Sequence, residues 1–457
     1  MTQFAPPADD PDGAPSARDR VAAVLRLAVP SAAELMLGML VGLVNTYLVG
    51  HLGAASLTAV GLSSQWAMVG SVLFSAVGTG ATALVARLAG ARQWADASRV
   101  LGQALIVAVA MGALAVVGLE LTAGAALRLM GAEPEALALG VPYLRVVSSV
   151  YVLTAVMFIG NACLRGAGDT RTPMWVMGAV NLTNLAVSWT LIHGVAGLPR
   201  LGVMGAAVGE VMARLVGAGL VLAVLLRGRA GMRLSVGGMR FDAGLVRRML
   251  RVGLPAGVEQ LVFRFGMLLY ARVVSSLGTA AFAAHQVALN GESLSYMPGF
   301  GFAVAATTLV GQGLGGRAPA RAARDGHTAF LLAAALMSAM GVAFAVGSET
   351  IIGFFTTDPE VIAQGVEPLR LIALAQPFLA AVMVYGGGLR GAGDTFVPML
   401  INGGAVWVVR VPAALLLTQV LPWGLTGAWV AMALDLSVRG VLLGWRFQRG
   451  AWQRLQV

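Results

Sequence analysis

The sequence predicts an all-α polytopic membrane protein with twelve transmembrane helices in two six-helix bundles, and three observations predict it. First, 58% of the 457 residues are hydrophobic and 11% are charged, against about 45–50% and about 25% in soluble domains. Second, the apolar residues form runs long enough to cross a membrane. Third, the string LRGAGDT occurs at Leu164–Thr170 and again at Leu389–Thr395. Composition indicates the membrane, and the repeated string indicates two bundles.

The predicted spans follow from length. A membrane-spanning helix needs about 20 predominantly apolar residues. This rule predicts spans at residues 24–48, 56–86, 101–122, 139–163, 173–194, 202–226, 249–274, 281–311, 327–348, 367–388, 397–419 and 424–446. We expect the longer spans to tilt or to extend beyond the bilayer.

The basic residues are all arginine, and the arginines between spans lie mainly in the breaks after even-numbered spans. The break after span 2, for example, carries Arg87, Arg92 and Arg99. Positive charge accumulates on the cytoplasmic side of membrane proteins. We therefore expect a bacterial inner-membrane protein with both termini in the cytoplasm. This placement accounts for the net charge of +10 and argues against nucleic acid as the partner.

A self-comparison keeps one register along the chain. At an offset of 225 residues, Pro30 corresponds to Pro255 and Leu52-Gly53 to Leu277-Gly278. Because each copy has six spans, both copies enter the membrane in the same direction. The repeat is therefore parallel, with a pseudo-two-fold axis along the membrane normal.

The repeat predicts five segments of chain. They are a disordered cytoplasmic tail at 1–23, a first lobe at 24–226, a basic cytoplasmic linker at 227–248, a second lobe at 249–446 and a cytoplasmic tail at 447–457. The first twenty residues lack the apolar core of a signal peptide. The single cysteine, Cys163, excludes an internal disulfide.

Two acids lie inside predicted spans at equivalent positions of the repeat. Glu34 follows Pro30 by four residues, and Glu259 follows Pro255 by four. Neither has an arginine three or four positions further along its own helix. An ionisable group within a span is costly and usually functional, and burial without a partner favours the protonated carboxyl group. We predict that both acids bind protons; the alternative is a protonated acid hydrogen-bonded to a neighbouring helix.

Polar side chains recur along the same helices. Asn45 lies three turns below Glu34, and Tyr270 lies three turns below Glu259. The residues predicted to line a polar cavity are Asn45, Gln260, Tyr270, Asn181, Asn184, Gln286, Asn290 and Glu292. Hydrogen bonds between helices are the alternative for each set.

Two further acids have an arginine four positions later, which is the favourable orientation on a helix. Glu210 and Arg214 form one such pair, and Asp435 and Arg439 repeat it at the same offset. We predict that both are structural ion pairs. Arg410 has no counterpart in the first half. We expect it to pair with Asp435 rather than to meet an anionic ligand.

The repeated RGAGDT strings lack the lysine of a phosphate-binding loop. They predict a helix break followed by an N-cap. The sequence contains no metal-ligand cluster with sensible spacing, no Ser/His/Asp arrangement and no dinucleotide motif. We therefore predict neither an enzyme nor a protein with a cofactor or metal.

Four strings together resemble the multidrug and toxic compound extrusion (MATE) family of secondary transporters. They are the paired LRGAGDT turns, LVNTYLVGHLG at 43–53, LGTAAFAAHQVALN at 277–290 and TTLVGQGLGG at 307–316, and the resemblance covers 24–446. The second half is similar to bacterial members on the DinF-like side of the family. The resemblance implies a central cavity between two six-helix bundles. It also implies export of organic, often cationic compounds in exchange for protons or sodium. The partners that we expect are small organic cations or other amphipathic compounds, and membrane lipid. We expect a monomer.

This chain departs from the family pattern where sodium-coupled members carry acids. Many members have Asp at the position of Asn45, and some have an Asp in span 10 where this chain has Leu379 and the nearby Gln376. Members with a span-7 acid often place it one turn beyond Glu259. The sequence therefore favours protons over sodium as the ion coupled at Glu34 and Glu259.

Two other classes of function remain open. A flippase for a lipid-linked precursor would need a basic cavity to hold diphosphate, and Arg264, Arg272 and Arg410 are its candidates. An intramembrane enzyme would need a catalytic pair inside the spans, and no pair has convincing spacing.

Overall fold

The computed structural model describes residues 16–235 and 240–455, and over these residues the regular structure is helical, without strands. The helices are α1 (Ala17–Gly50), α2 (Ala54–Gly90), α3 (Trp94–Leu129), α4 (Pro134–Ser148), α5 (Tyr151–Gly166), α6 (Arg171–His193), α7 (Val203–Leu226), α8 (Ala243–Ser275), α9 (Thr279–Gly315), α10 (Pro319–Phe355), α11 (Pro359–Gly391), α12 (Phe396–Ala405), α13 (Val411–Leu415) and α14 (Gly424–Gln448). The predicted all-α class is confirmed.

The long helices coincide with the predicted spans. Ten helical segments of the described chain are long and apolar enough to cross a membrane, and α4 with α5 makes an eleventh span, bent by 51°. One of the ten, Phe396–Val420, contains α12 and α13. The helix α2, with 37 residues, overlaps the remaining predicted span.

The helix bounds reproduce the internal repeat. The helices α2 and α9 begin at residues 54 and 279 and end at residues 90 and 315, so both bounds differ by the offset of the sequence repeat. The helices α5 and α11 likewise end at Gly166 and Gly391. Each half of the chain therefore builds its helices from the same local signals.

Contacts divide the chain into two compact units. The N-terminal unit consists of residues 33–254, and the C-terminal unit consists, within the described chain, of residues 16–32 and 255–455. The first turns of α1 thus belong to the C-terminal unit, and those of α8 to the N-terminal unit. Each division lies within two residues of an internal proline, Pro30 or Pro255, which has no N–H for the helical ladder. The lobes predicted from the sequence differ here, because they place all of span 1 in the first lobe and all of span 7 in the second.

Small residues let the helices of each unit approach closely, as is common between membrane helices. In the N-terminal unit, a Cβ added to Gly166 of α5 would lie 2.7 Å from the carbonyl oxygen of Thr82 in α2. In the C-terminal unit, a Cβ on Gly391 would lie 2.1 Å from the carbonyl oxygen of Thr307 in α9. The hydroxyl groups of the two threonines donate to the carbonyl oxygens of Ala162 and Gly387, each at 2.9 Å.

The break between α4 and α5 has no counterpart in α11. The hydroxyl groups of Ser148 and Ser149 donate to the carbonyl oxygens of Arg145 and Val146, at 3.0 and 2.7 Å. Such local bonds compete with the helical ladder. The equivalent positions in α11 are Ala373 and Leu374, which offer no competing hydroxyl group, and the helix continues.

A π-helical turn, Val406–Arg410, separates α12 from α13. It ends two residues before Pro412, whose missing N–H and bulky ring disturb the preceding helical turn. The sequence prediction of a regular span at 397–419 did not include this turn. Arg410, the last residue of the turn, is buried.

The predicted tails and linker are partly ordered. Residues 17–23, predicted as part of the disordered tail, are the first residues of α1, and residues 1–15 lie outside the described chain. In the predicted C-terminal tail, the buried Trp452 donates from Nε1 to the carbonyl oxygen of Phe447 at 2.7 Å. The Gln103 side chain holds the predicted linker by bonding the Arg240 carbonyl oxygen and the Asp242 N–H at 2.7 and 2.9 Å.

We expect Gly391→Ala to destabilise the protein, because the added Cβ meets backbone rather than a movable side chain. Overpacking of this kind costs about 1–3 kcal/mol. The matched control is Gly404→Ala, since a Cβ there has nothing within 4 Å. Thermal denaturation in detergent measures the stability of the two purified variants. Equal melting temperatures for Gly391→Ala and the wild type would contradict the close approach of α9 and α11.

Candidate functional site

The carboxylate of Glu34 forms an ion pair with an arginine from another helix. Glu34 lies on α1 and is 7% exposed. Arg165, in the last turn of α5, donates from Nη1 to Glu34 Oε1 at 2.6 Å. An ion pair this well buried offsets the cost of placing either charge in an apolar interior.

The C-terminal unit repeats this pair. Arg390, in the last turn of α11, donates from Nη2 to Glu259 Oε1 at 2.5 Å, and Asn402 donates from Nδ2 to the same oxygen at 2.8 Å. Both partners lie 131 residues after their glutamate, and both arginines come from the LRGAGDT strings. Oε2 of Glu259 is buried without a hydrogen-bond partner among the described residues.

The expectation that Glu34 and Glu259 are unpaired is therefore wrong. A search three or four positions along one helix finds only partners on that helix, whereas both arginines come from another helix. A sequence signal did exist. The same offset of 225 residues that relates the two glutamates also relates Arg165 to Arg390.

The LRGAGDT string fixes this arginine at a helix end. In the first copy, Gly168 has φ 94°, and its N–H donates to the Arg165 carbonyl oxygen at 3.0 Å. The Asp169 N–H donates to the carbonyl oxygen of Leu164 at 2.9 Å. This glycine-terminated helix end recurs at Gly393, with φ 85°. The predicted helix break is confirmed, and the negative end of the helix dipole favours a cation there.

The aspartates of the two strings have different partners. Asp169 caps α6, because its carboxylate accepts from the Thr172 N–H at 3.0 Å and from the Thr172 hydroxyl at 2.6 Å. Asp169 also lies 3.3 Å from Arg229, and Asp394 lies 2.8 Å from Arg446 of α14. Both aspartates therefore pair with an arginine, and the contact with the first turn of the following helix is seen for Asp169.

The predicted ion pairs on single helices are present. Arg214 lies 3.2 Å from Glu210 in α7, and Arg439 lies 2.6 Å from Asp435 in α14. Arg410 also binds Asp435, at 2.8 Å, which is the partner expected from the sequence. All three members of the Arg410–Asp435–Arg439 cluster are buried. One carboxylate thus serves two guanidinium groups, which leaves the cluster with a net positive charge.

Glu292 is a buried acid close to this cluster. It is 5% exposed, and no described residue gives it a hydrogen bond or an ion pair within 4.0 Å. Arg410 is the charged group whose field reaches it. The Arg410 guanidinium also lies 5.5 Å from the ring centre of Tyr270, whose hydroxyl donates to the Ala428 carbonyl oxygen at 2.8 Å. An ionised Glu292 would balance the extra positive charge of the cluster.

The remaining residues predicted to line a cavity lie in different surroundings. Gln260, Gln286 and Asn290 are exposed, and Asn45 and Asn184 are buried. Asn181 donates to the carbonyl oxygens of Leu37 and Met177, both at 2.8 Å, so it forms the hydrogen bond between helices that was the alternative for it. Oδ1 of Asn45 and both polar atoms of Asn184 have no hydrogen-bond partner within the described chain.

Sequence comparison connects this architecture to known proteins. The MatE family model matches residues 30–190 and again residues 255–416, so the match itself repeats at the internal offset. The chain is 34% identical over 437 residues to a probable multidrug resistance protein NorM of Thermotoga maritima, covering 95% of this chain and 93% of that protein. It is 31% identical over 434 residues to the multidrug resistance protein NorM of Burkholderia vietnamiensis, covering 92% of each.

Solved structures show the same fold. A crystal structure of MATE in the straight conformation matches with a TM-score of 0.88 at 22% identity, covering 95% of this chain and 97% of that one. The bent conformation matches with a TM-score of 0.87 at 23% identity, covering 95% and 96%. The predicted arrangement of twelve helices in two bundles is that of these structures.

A double-mutant cycle measures whether Glu259 and Arg390 stabilise each other. We expect Arg390→Gln to cost about 3–5 kcal/mol, because it leaves the buried Glu259 carboxylate without its charged partner. Glu259→Gln should cost less, because the Arg390 side chain is 27% exposed to solvent. The double variant should cost less than the sum, by at least about 1 kcal/mol. Thermal denaturation in detergent gives the four stabilities. Strictly additive losses would show that the two side chains are independent.

The repeat supplies a control for the Asp435 cluster. We expect Asp435→Asn to destabilise strongly, by about 3–5 kcal/mol, because two buried arginines lose their shared acceptor. Arg410→Leu should cost much less, since Leu185 occupies the equivalent position of the first half and the Asp435–Arg439 pair is kept. Melting temperatures of the two variants test whether Asp435→Asn is the more destabilising change. A larger loss of stability in Arg410→Leu would mean that Arg410 has a more important partner than Asp435.

Proposed function

The chain belongs to the MatE family of multidrug efflux transporters, and we propose that it exports amphipathic, cationic organic compounds in exchange for protons. The observation that carries the proposal is the glutamate–arginine pair repeated in both units. Ionisable groups inside membrane spans mark ion pathways and proton relays in pumps and transporters. Glu34 and Glu259 are buried carboxylates at equivalent positions of the two repeats.

The exchange follows from competition for one negative charge. A carboxylate that holds a proton is neutral and no longer attracts a cation. A cationic compound and a proton therefore exclude each other at the same acid, which is the requirement for antiport. When neither a proton nor a cationic compound is bound, the arginine stabilises the carboxylate, because it supplies the positive charge.

The groups around the acids favour protons over sodium. Hard metal ions prefer several oxygen ligands. The described neighbours of Glu34 and Glu259 at hydrogen-bond distance are nitrogen donors, namely Arg165, Arg390 and the amide of Asn402. A nitrogen donor stabilises a carboxylate but does not coordinate a cation beside it.

We propose that the residues predicted to line a cavity, apart from Asn181, contact the exported compound. Among them, Glu292 supplies a negative charge, and Tyr270 supplies an aromatic surface in the same buried region. The flippase alternative needs arginines available for diphosphate. One of its three candidates, Arg410, is bound to Asp435, which weakens that alternative.

The proposal includes the location of the protein. A chain with this many apolar helices lies in the inner membrane of its bacterium. Arginine is concentrated in the breaks after even-numbered spans, which supports cytoplasmic termini. The oligomeric state that we propose is the monomer.

The test is transport of a fluorescent organic cation by purified protein in liposomes. An acid-inside pH gradient should drive uptake, and a sodium gradient without a pH gradient should not. We expect Glu34→Gln and Glu259→Gln each to reduce pH-driven uptake at least about ten-fold, because a neutral amide neither ionises nor carries a proton. Uptake driven by sodium alone would overturn proton coupling.

Two controls separate coupling from folding and binding. Glu349→Gln makes the same chemical change at an exposed position of α10 and should transport at the wild-type rate. Exchange of labelled for unlabelled cation without any gradient should persist in a variant that has lost only coupling. Normal pH-driven transport by both glutamate variants would refute the assignment to Glu34 and Glu259.

A further inference from the structure

The first turns of α8 contain an open groove that the transport proposal does not use. It encloses about 490 Å³ and lies within the N-terminal unit. The residues that matter for its chemistry are Phe241, Val246, Arg247, Leu250, Arg251 and Leu254. Four of these are apolar, and two are arginines.

The two arginines are positively charged groups without a counter-charge. Arg247 and Arg251 are exposed, and they lie four residues apart, so they project from the same side of the helix. Neither makes a hydrogen bond or an ion pair with any residue of the described chain. The nearby acid, Asp242, is occupied, because its carboxylate caps α8 by accepting from the Leu245 N–H at 3.0 Å.

Other arginines add to the positive potential of this region. Arg248 follows directly in sequence, and its charge reaches Arg87 of α2. Like charges in one region add to the positive potential that an anion bound there would meet. A guanidinium group binds phosphate through two parallel N–H donors. The region is therefore suited to a phosphate group.

The apolar residues extend from the arginines along the helix. Leu254 lies seven residues beyond Arg247, which is about 10 Å along the axis. Leu254 is 54% exposed and Phe241 is 64% exposed, so both offer surface to a ligand. Apolar residues thus lie on both sides of the arginines along the chain. Positive charge next to an apolar surface matches a molecule with an anionic head and a hydrocarbon tail.

We propose that this groove binds an anionic phospholipid. The lipid phosphate lies between Arg247 and Arg251, and one acyl chain packs along Leu250 and Leu254. The breaks rich in arginine are predicted to be cytoplasmic, and the cytoplasmic leaflet is where anionic lipids attract basic segments next to a membrane helix. A free phosphate ion would leave the apolar surface unused, and an organic cation would be repelled.

Binding here stabilises the attachment of α8 to the N-terminal unit. The helices α8 and α2 approach so closely that a Cβ on Gly253 would lie 2.0 Å from the carbonyl oxygen of Ala76. A Cβ on Gly80 would lie 2.1 Å from the carbonyl oxygen of Met249. A lipid that binds the folded start of α8 raises the stability of this packing by mass action.

The site belongs to one half of the repeat only. At the offset of 225 residues, Arg251 corresponds to Arg26, but Arg247 corresponds to Ala22. The first half therefore lacks the second guanidinium group. We expect one such lipid per chain at this surface.

The experiment compares lipids on the purified full-length protein in detergent. Native mass spectrometry counts retained lipid, and thermal denaturation measures the stabilisation. We expect dioleoyl phosphatidylglycerol to be retained and to raise the melting temperature more than dioleoyl phosphatidylcholine, which has the same chains and no net charge. Arg247→Gln with Arg251→Gln should reduce retention at least about five-fold, because phosphate loses both donors.

The matched control is Arg317→Gln with Arg324→Gln. It removes the same charge from exposed arginines in another break that is predicted to be cytoplasmic, and it should retain the lipid. Leu254→Asn should weaken retention while keeping both arginines. Glycerol 1-phosphate, which has the charge without chains, should not reproduce the stabilisation.

Three results would overturn the proposal. Equal stabilisation by the two lipids would show that the charge is not recognised, and this comparison needs only the wild-type protein. Equal loss in the control variant would indicate general attraction to the basic surface. Full stabilisation by glycerol 1-phosphate would indicate a site for a soluble anion rather than for a lipid.

Discussion

A carboxylate that stays ionised inside an apolar helix bundle is stabilised by a cation at short range, and one such ion pair recurs in both halves of the chain. An ionised group at the centre of a membrane costs several kcal/mol when it is alone. Glu34 and Glu259 avoid that cost through Arg165 and Arg390. Each arginine must reach across from another helix, so the position of that helix is fixed by the pair.

The LRGAGDT string meets this positional requirement. Its second glycine, Gly168 or Gly393, lies in the left-handed region just beyond the helix end. The arginine therefore stays in the last helical turn, where the helix dipole favours a cation. Its first glycine has no side chain at the point where α5 approaches Thr82, and where α11 approaches Thr307. The string therefore places an arginine and permits the close helix packing that holds it.

Much of the fold was predictable because it depends on local signals. Apolar runs determine the spans, and the repeat determines that helix bounds recur at a constant offset. The partners of Glu34 and Glu259 were not predicted, because they lie 131 residues away in sequence. The hydroxyl groups of Ser148 and Ser149 and the ring of Pro412 were visible signals for irregular helices. Their effect on packing depends on neighbours that the sequence does not specify.

The two halves differ most where the second half adds charge. Leu185 of the first half corresponds to Arg410, which a π-helical turn places in the buried interior. Asp435 then holds two arginines. A repeat that evolves by duplication can keep one copy as the simpler pair while the other acquires a further charge. The Glu210–Arg214 pair of the first half is that simpler arrangement.

Under the proposed function, the added charge bears on what the neighbouring Glu292 can bind. With Glu292 ionised, its charge and that of Asp435 balance Arg410 and Arg439. A proton or an organic cation at Glu292 then adds the same single positive charge to the region. Replacing one by the other leaves the electrostatic free energy of the Arg410–Asp435–Arg439 cluster nearly unchanged, so the ion pairs need not break. The cluster can keep its ion pairs during this replacement, because Asp435 contacts both Arg410 and Arg439 directly.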